Sequence, residues 1–129
     1  MSAQLTAGLP DDDFLSDGLL TKRVLRASAL AALAPVGNEL LWDLGAGTGS
    51  IGIEWCRLSD DNRAVAVERN AERLERIGAN AARHVGHSHR RGQQLAFYQR
   101  TLRQFAGQVE AAARRCRHWH WRYWQASVC

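Results

Sequence analysis

This sequence reads as an α/β domain with a parallel, doubly wound sheet. The apolar run Leu40–Trp42 leads straight into the acid-and-glycine segment Asp43–Ser50, and a second apolar run, Ala64–Val67, ends in the acid Glu68. An amphipathic stretch follows each run. Buried strands alternating with helices of this kind make a right-handed parallel βαβα unit.

Residues 1–18 read as an irregular lead-in, with Pro10 and the run Asp11–Asp13 ahead of Phe14. A first helix starts at Thr21, a good N-cap, and Pro35 ends it after Ala34. Val24, Leu25, Ser28, Ala31 and Ala32 recur at helical spacing, so this face is expected to pack on the sheet. Pro35–Asn38 turns into the first strand. After the glycines, Ile51, Ile53, Trp55 and Cys56 fall in a second helix that Asp60–Asn62 terminates, and the second strand runs from Ala64 to Glu68. Asn70 caps a third helix from Ala71 to about Arg83, with Leu74, Ile77 and Ala81 on one face. From His84 onward no stretch has the apolar run or alternation of a strand, so none is expected there.

The chain has 129 residues, 46% of them hydrophobic and 23% charged, which suits a globular domain and excludes a disordered one. No run approaches the roughly 18 apolar residues of a membrane span, and the acidic start lacks the form of a secretory signal, so no membrane partner and a cytoplasmic location are expected. Cys56, Cys116 and Cys129 have neither disulfide nor zinc spacing, and no metal site is expected. His84, His87 and His89 are considered as acids or metal ligands but lack partner carboxylates, so no catalytic residue is assigned. The net charge of +4 comes almost wholly from Arg, since Lys22 is the one Lys among 17 cationic residues. Such a bias follows GC-rich coding DNA and says little about partners.

Chemistry concentrates at the first strand's end. Gly45, Gly47 and Gly49 permit positive φ and close approach of a ligand to the backbone, and the following helix offers unpaired N–H groups. Glu68, about 20 residues on, is where ribose hydroxyls are held in nucleotide folds. A nicotinamide dinucleotide stays open on spacing, because Gly47-Thr48-Gly49-Ser50-Ile51-Gly52 satisfies G-x-G-x-x-G. Asp43 weighs against it, since an anion there repels a pyrophosphate. S-adenosylmethionine carries a sulfonium and an ammonium and no phosphate, so the same Asp attracts it. Asp43-x-Gly45-x-Gly47-x-Gly49 resembles the first motif of the class I, Rossmann-like, S-adenosylmethionine-dependent methyltransferases.

More specific segments narrow the resemblance. Gly8-Leu9-Pro10-Asp11-Asp12-Asp13-Phe14, Asp17-Gly18-Leu19-Leu20-Thr21-Lys22-Arg23 and Leu41–Ser50 are similar to the decarboxylating precorrin-6Y C5,15-methyltransferases of cobalamin biosynthesis, in their C15-methylating part, over about residues 8–86. The resemblance implies methyl transfer to C15 of a precorrin with loss of the C12 acetate carboxyl as carbon dioxide. It implies cofactor contacts at Thr21, Gly45, Ala46, Gly47, Thr48, Gly49 and Glu68, beside Asp43. It also implies a homo-oligomer or a C5-methyltransferase partner domain. From the residues alone Thr21 is as well explained as a plain helix cap.

The family pattern continues with a third strand and a fourth ending in glycines, and neither is found here. The chain therefore divides into the lead-in (1–18), the N-terminal part of a Rossmann-like methyltransferase domain (19–86) and an atypical Arg/Trp-rich tail (87–129). Three readings of that tail stand: a novel domain, a nucleic-acid-binding segment in which Trp stacks and Arg meets phosphate, or a shifted reading frame. The genetic code favours the third. With Arg encoded as CGN, reading Arg114–Trp124 one base later turns His-Trp-His-Trp into Ile/Thr-Gly-Ile/Thr-Gly, and the four residues before it allow Asp-Ala-Val-Val, the missing strand and turn. On that reading the chain as written is a truncated, inactive enzyme. A non-enzymatic fragment that binds nucleic acid, or a piece of a dinucleotide-binding oxidoreductase, is the alternative.

Overall fold

The computed structural model describes residues 6–85, 95–99, 114, 118–120 and 126–128. A 3-10 helix (Asp11–Asp13) precedes α1 (Arg23–Leu33), β1 (Leu40–Leu44), α2 (Ser50–Leu58), β2 (Arg63–Glu68) and α3 (Ala71–His84). Three strands follow: β3 (Leu95–Gln99), β4 (His118–His120) and β5 (Ala126–Val128). The sheet order is β3-β2-β1-β5-β4. β1 and β2 are parallel with Leu44 beside Val67, and β2 and β3 are parallel with Glu68 beside Gln99. β5 runs antiparallel to both β1 and β4. The α/β class and the parallel βαβα unit thus stand as expected, and β3 extends the parallel strands beyond β2.

That third strand corrects the expectation that none follows His84. Its backbone ladder to β2 does what an apolar pattern does elsewhere, and Leu95 is buried beneath α2, where its Cδ1 lies 3.4 Å from the position a Cβ on Gly52 would take. Pairing context overrides a weak local signal. Short residues let α2 sit close to the sheet, since the same Gly52 position is also 3.4 Å from the Ala64 Cβ. One core joins Leu41, Ala64 and Ala66 of the sheet to Leu30 and Leu33 of α1, Ile53 and Trp55 of α2 and Ile77 of α3. Leu44 and Val67, with Trp42 and Val65, form a smaller cluster on the opposite face of the sheet.

The expected faces of α2 and α3 are the buried ones, whereas the face of α1 is corrected. Val24 and Leu25 are 74% and 53% exposed, and Ser28, Ala31 and Ala32 face solvent with them. Arg26, Ala29, Leu30 and Leu33 point inward instead. The cause is a buried ion pair between Arg26 Nε and Glu54 Oε2 of α2 at 3.1 Å, which turns α1 so that Arg26 faces the core. Capping differs as well. α1 begins two residues after Thr21, with Lys22 at the N-cap and its carbonyl accepting from the Arg26 N–H at 2.9 Å. Asn70 caps α3 as expected, accepting from the Arg73 N–H at 3.1 Å. Among the described residues no helix is long and apolar enough to cross a membrane.

Candidate functional site

β1 and β2 end level with one another, and the glycine loop folds across both ends. Gly45, Gly47 and Gly49 all take positive φ, at 75°, 61° and 77°. The Gly45 and Ala46 N–H groups donate to the Val67 carbonyl at 2.7 and 3.1 Å, pinning the loop to β2. A Cβ on Gly49 would lie 3.0 Å from Ile77 Cγ2, so that glycine is required by packing against α3 as well as by its conformation. A Cβ on Gly47 would meet nothing within 4 Å, which leaves the loop's crest open to an approaching molecule.

Glu68 is the hinge of this arrangement. Its side chain is buried, with Oε2 accepting from the Gly47 N–H at 3.0 Å and Oε1 from the Asn70 N–H at 2.9 Å. Each carboxylate oxygen retains a second lone pair, so a carboxylate already fixed by the backbone can still accept from vicinal hydroxyls. Asp43 lies beneath the loop, buried, with one carboxyl oxygen hydrogen-bonded by the Gly52 N–H and Oδ2 without a partner. Burial, reinforced by the nearby charge of Glu68 and opposed by the Gly52 bond, lifts its pKa to about 7. Glu68, joined near neutral pH by the ionised fraction of Asp43, gives the site negative charge and makes it unsuited to a pyrophosphate, which counts against the dinucleotide alternative.

The structure therefore brings together Asp43, Gly45, Ala46, Gly47, Thr48, Gly49 and Glu68. Thr21 is held separately, its carbonyl accepting from Arg26 Nη1. Of the three histidines, His84 is structural: its Nε2 lies 2.8 Å from the Asp13 carbonyl and its ring meets Phe14 at 5.0 Å. His87 and His89 lie outside the described residues, as do Cys116, Cys129 and most of Arg114–Trp124. Cys56 is buried and its thiol is pushed up to about 12, which leaves it inert. Among the described residues no cluster of His, Cys, Asp or Glu could hold a metal.

Sequence reasoning missed the residues that hold the lead-in against this site. Glu54 Oε1 accepts from the Gly8 N–H at 2.8 Å and from the Leu9 N–H. Arg26 donates to Asp11 Oδ1 at 2.7 Å and to the Leu9 carbonyl, with its guanidinium 4.9 Å over the Phe14 ring. The segment Gly8-Leu9-Pro10-Asp11 is thus the polar counterpart of a buried ion pair. Farther along, Asp17 Oδ2 meets Arg73 Nε at 2.7 Å and Arg76 Nη1 at 3.4 Å, and the Asn80 amide bonds both the N–H and the carbonyl of Leu15. An acid and a base at buried helical positions were the available signal.

The sequence profile of a family described as the precorrin methyltransferase domain matches residues 12–103. A precorrin-6Y C(5,15)-methyltransferase [decarboxylating] from Sinorhizobium sp is 52% identical over 77 residues, covering 60% of this chain and 19% of that protein. Its counterpart in Mycobacterium tuberculosis is 48% identical over 77 residues, covering 60% and 20%. The crystal structure of the C-terminal domain of precorrin-6Y C5,15-methyltransferase from Rhodobacter capsulatus superposes with a TM-score of 0.68 at 36% identity, over 79% of this chain and 52% of that one. The chain spans about a fifth of the length of these curated relatives and about half of the solved domain.

Proposed function

The chain belongs to the precorrin methyltransferase domain family, and on that premise we propose that it forms the S-adenosylmethionine-binding portion of an enzyme that methylates C15 of a precorrin and releases the C12 acetate carboxyl as carbon dioxide. The observation that carries the reading is Glu68, buried yet holding spare lone pairs, clamped to the open crest of the glycine loop at Gly47. The residues present suit the cofactor. Glu68 would take the ribose hydroxyls, Gly45–Gly49 would admit the methionine end close to the backbone, and the orphaned Asp43 Oδ2 would supply negative potential toward a cation.

When bound, S-adenosylmethionine supplies a methyl carbon made electrophilic by its sulfonium. The chain's own residues contribute position: a loop fixed by Val67 and Glu68, backed by α3, holds one geometry without reorganising. Thr21 would close the site from the stretch that joins the lead-in to α1. No side chain is given the role of acid or base, because in-line transfer in a dry, ordered site draws on alignment. Substrate contacts, and a C5-methylating partner domain or further copies of the chain, belong to the longer enzyme. The chain as written is expected to bind cofactor without turnover.

Calorimetric titration with S-adenosylhomocysteine and with a nicotinamide dinucleotide tests this. Glu68→Ala should weaken the former by about 1 to 3 kcal/mol, the cost of stripping buried donors of a charged acceptor. Tighter binding of the dinucleotide would overturn the assignment.

For the tail, we propose that Arg114–Trp124 is a frame-shifted copy of the strand and glycine turn expected after β3. Two observations support this. The family profile ends at residue 103, and β5 lies antiparallel on β1 where a doubly wound sheet continues in parallel. Sequencing the coding DNA from the codon of His84 to that of Cys129 decides it.

A further inference from the structure

Asn80 lies in the middle of α3, fully buried, on a helix face otherwise committed to Ile77 and the apolar core. A buried primary amide is costly unless its groups are bonded. Here Oδ1 accepts from the Leu15 N–H at 2.8 Å, while Nδ2 donates to the Leu15 carbonyl at 3.0 Å and to the Thr48 carbonyl at 3.0 Å. One side chain therefore bonds two separate pieces of irregular backbone: the lead-in at Leu15, and the buried side of the glycine loop at Thr48.

Neither piece belongs to the ladder of the sheet. The lead-in is anchored at one end by Arg26 and Glu54 and at the other by Asp17 on Arg73 and Arg76, the latter contacts partly exposed and weak. Asn80 stands between these anchors and is the one that also reaches the loop. An amide is suited to this work, since it offers an acceptor and two donors in one plane and carries no charge to disturb Asp43 or Glu68.

We propose that Asn80 is a positioning residue that couples the lead-in strap, residues 15–21, to the glycine loop, so that strap and loop hold one shared geometry for the cofactor. This rests on the cofactor reading above and adds to it the device by which Thr21 and Gly47 are kept in register although they lie on separate segments. Both segments should then open as one unit, and loss of the amide should weaken ligand binding by more than its effect on the fold predicts.

The test uses the full chain and compares Asn80→Ala with Asn62→Ala. Asn62 is equally buried, donates to the Trp55 carbonyl at 3.2 Å and accepts from the Glu39 N–H at 3.3 Å, at the opposite, N-terminal end of β1 and β2. Both substitutions should destabilise, whereas Asn80→Ala alone should weaken S-adenosylhomocysteine binding, by about tenfold. Equal losses of affinity in the two variants, or none in Asn80→Ala, would overturn the proposal. Native-state amide exchange on the unsubstituted chain needs no variant and no ligand. The amides of Leu15 and Gly47 should exchange through one opening with the same denaturant dependence, and separate openings would refute the coupling. Absence of binding to the unsubstituted chain would sink the cofactor reading instead, and leave the exchange result to judge Asn80.

Discussion

Asp43 gives the chain an unusual dependence of stability on pH. Its carboxyl moves from an ordinary 3.8 to about 7 on folding, chiefly because burial penalises the charged form. Between those values the folded chain keeps a proton that the unfolded chain has released, so stability falls as pH rises. At about 1.4 kcal/mol per pH unit, the loss is about 4 kcal/mol once pH passes 7, a large share of the 5 to 15 kcal/mol typical of a domain. Asp43→Asn keeps an acceptor for the Gly52 N–H and cannot ionise. Urea unfolding of both proteins from about pH 4.5 to 8.5 should give similar stabilities at the acid end and a variant up to about 4 kcal/mol more stable at the alkaline end. Asp11 and Asp17 do not interfere. Their carboxyls are lowered by hydrogen bonds from Arg26 and Arg73, so their contributions are present above 3.8 and lost only below it. Curves for parent and variant that run parallel across this range would show that Asp43 keeps an ordinary pKa in the fold, and the argument that burial holds its proton would be refuted. Where it holds, cationic S-adenosylmethionine should displace the proton on binding, visible as a dependence of the calorimetric heat on the buffer's ionisation enthalpy.

Gly49→Ala should cost about 1 to 3 kcal/mol of stability in chemical denaturation, from positive φ and the clash with Ile77, whereas Gly47→Ala should cost only about 1 kcal/mol. Equal costs would mean that α3 does not press on the loop. Glu54→Gln, which leaves Arg26 with Asp11 as its remaining charged partner, should lower stability by about 1 to 3 kcal/mol and loosen the lead-in, seen as faster amide exchange at Gly8 and Leu9. Restoring the alternative frame at Arg114–Trp124 should strengthen S-adenosylhomocysteine binding and sharpen unfolding, while turnover of a precorrin by the chain as written would refute the frame reading.

Both parallel strands of the βαβα unit, the glycine turn and the α2 and α3 faces were legible because each is a local signal: an apolar run, residues that tolerate positive φ, an Asn cap, and apolar residues three and four apart. The places of Asp43 and Glu68 at the strand ends beside the glycine loop were legible too, since each acid directly ends an apolar run. β3 was not, because its stability lies in the ladder to β2 and in Leu95 beneath Gly52, and neither contact leaves a mark on the five residues themselves. The bonds of Asn80 to Leu15 and Thr48 were invisible for the same reason, spanning 65 and 32 residues of sequence.

The misread face of α1 carries the more general lesson. Hydrophobic spacing assigns Val24 and Leu25 to the core because it assumes that a helix buries what water rejects. Here the helix buries Arg26, and it can do so because Glu54, Asp11 and the backbone of Gly8 and Leu9 surround the ion pair with partners. A buried pair of this kind contributes little net stability over an apolar substitute, but it is intolerant of any arrangement that leaves either charge alone. Among the described residues the lead-in pairs with no strand, and its hold on the core is Phe14 with Ala7 and Leu9 packed beside it, contacts that leave the rest of its path undetermined. Polar bonds to Arg26 and Glu54 at one end and to Asn80 at the other fix that path instead, and they set the course of the segment that carries Thr21 by geometry that apolar patterning cannot encode.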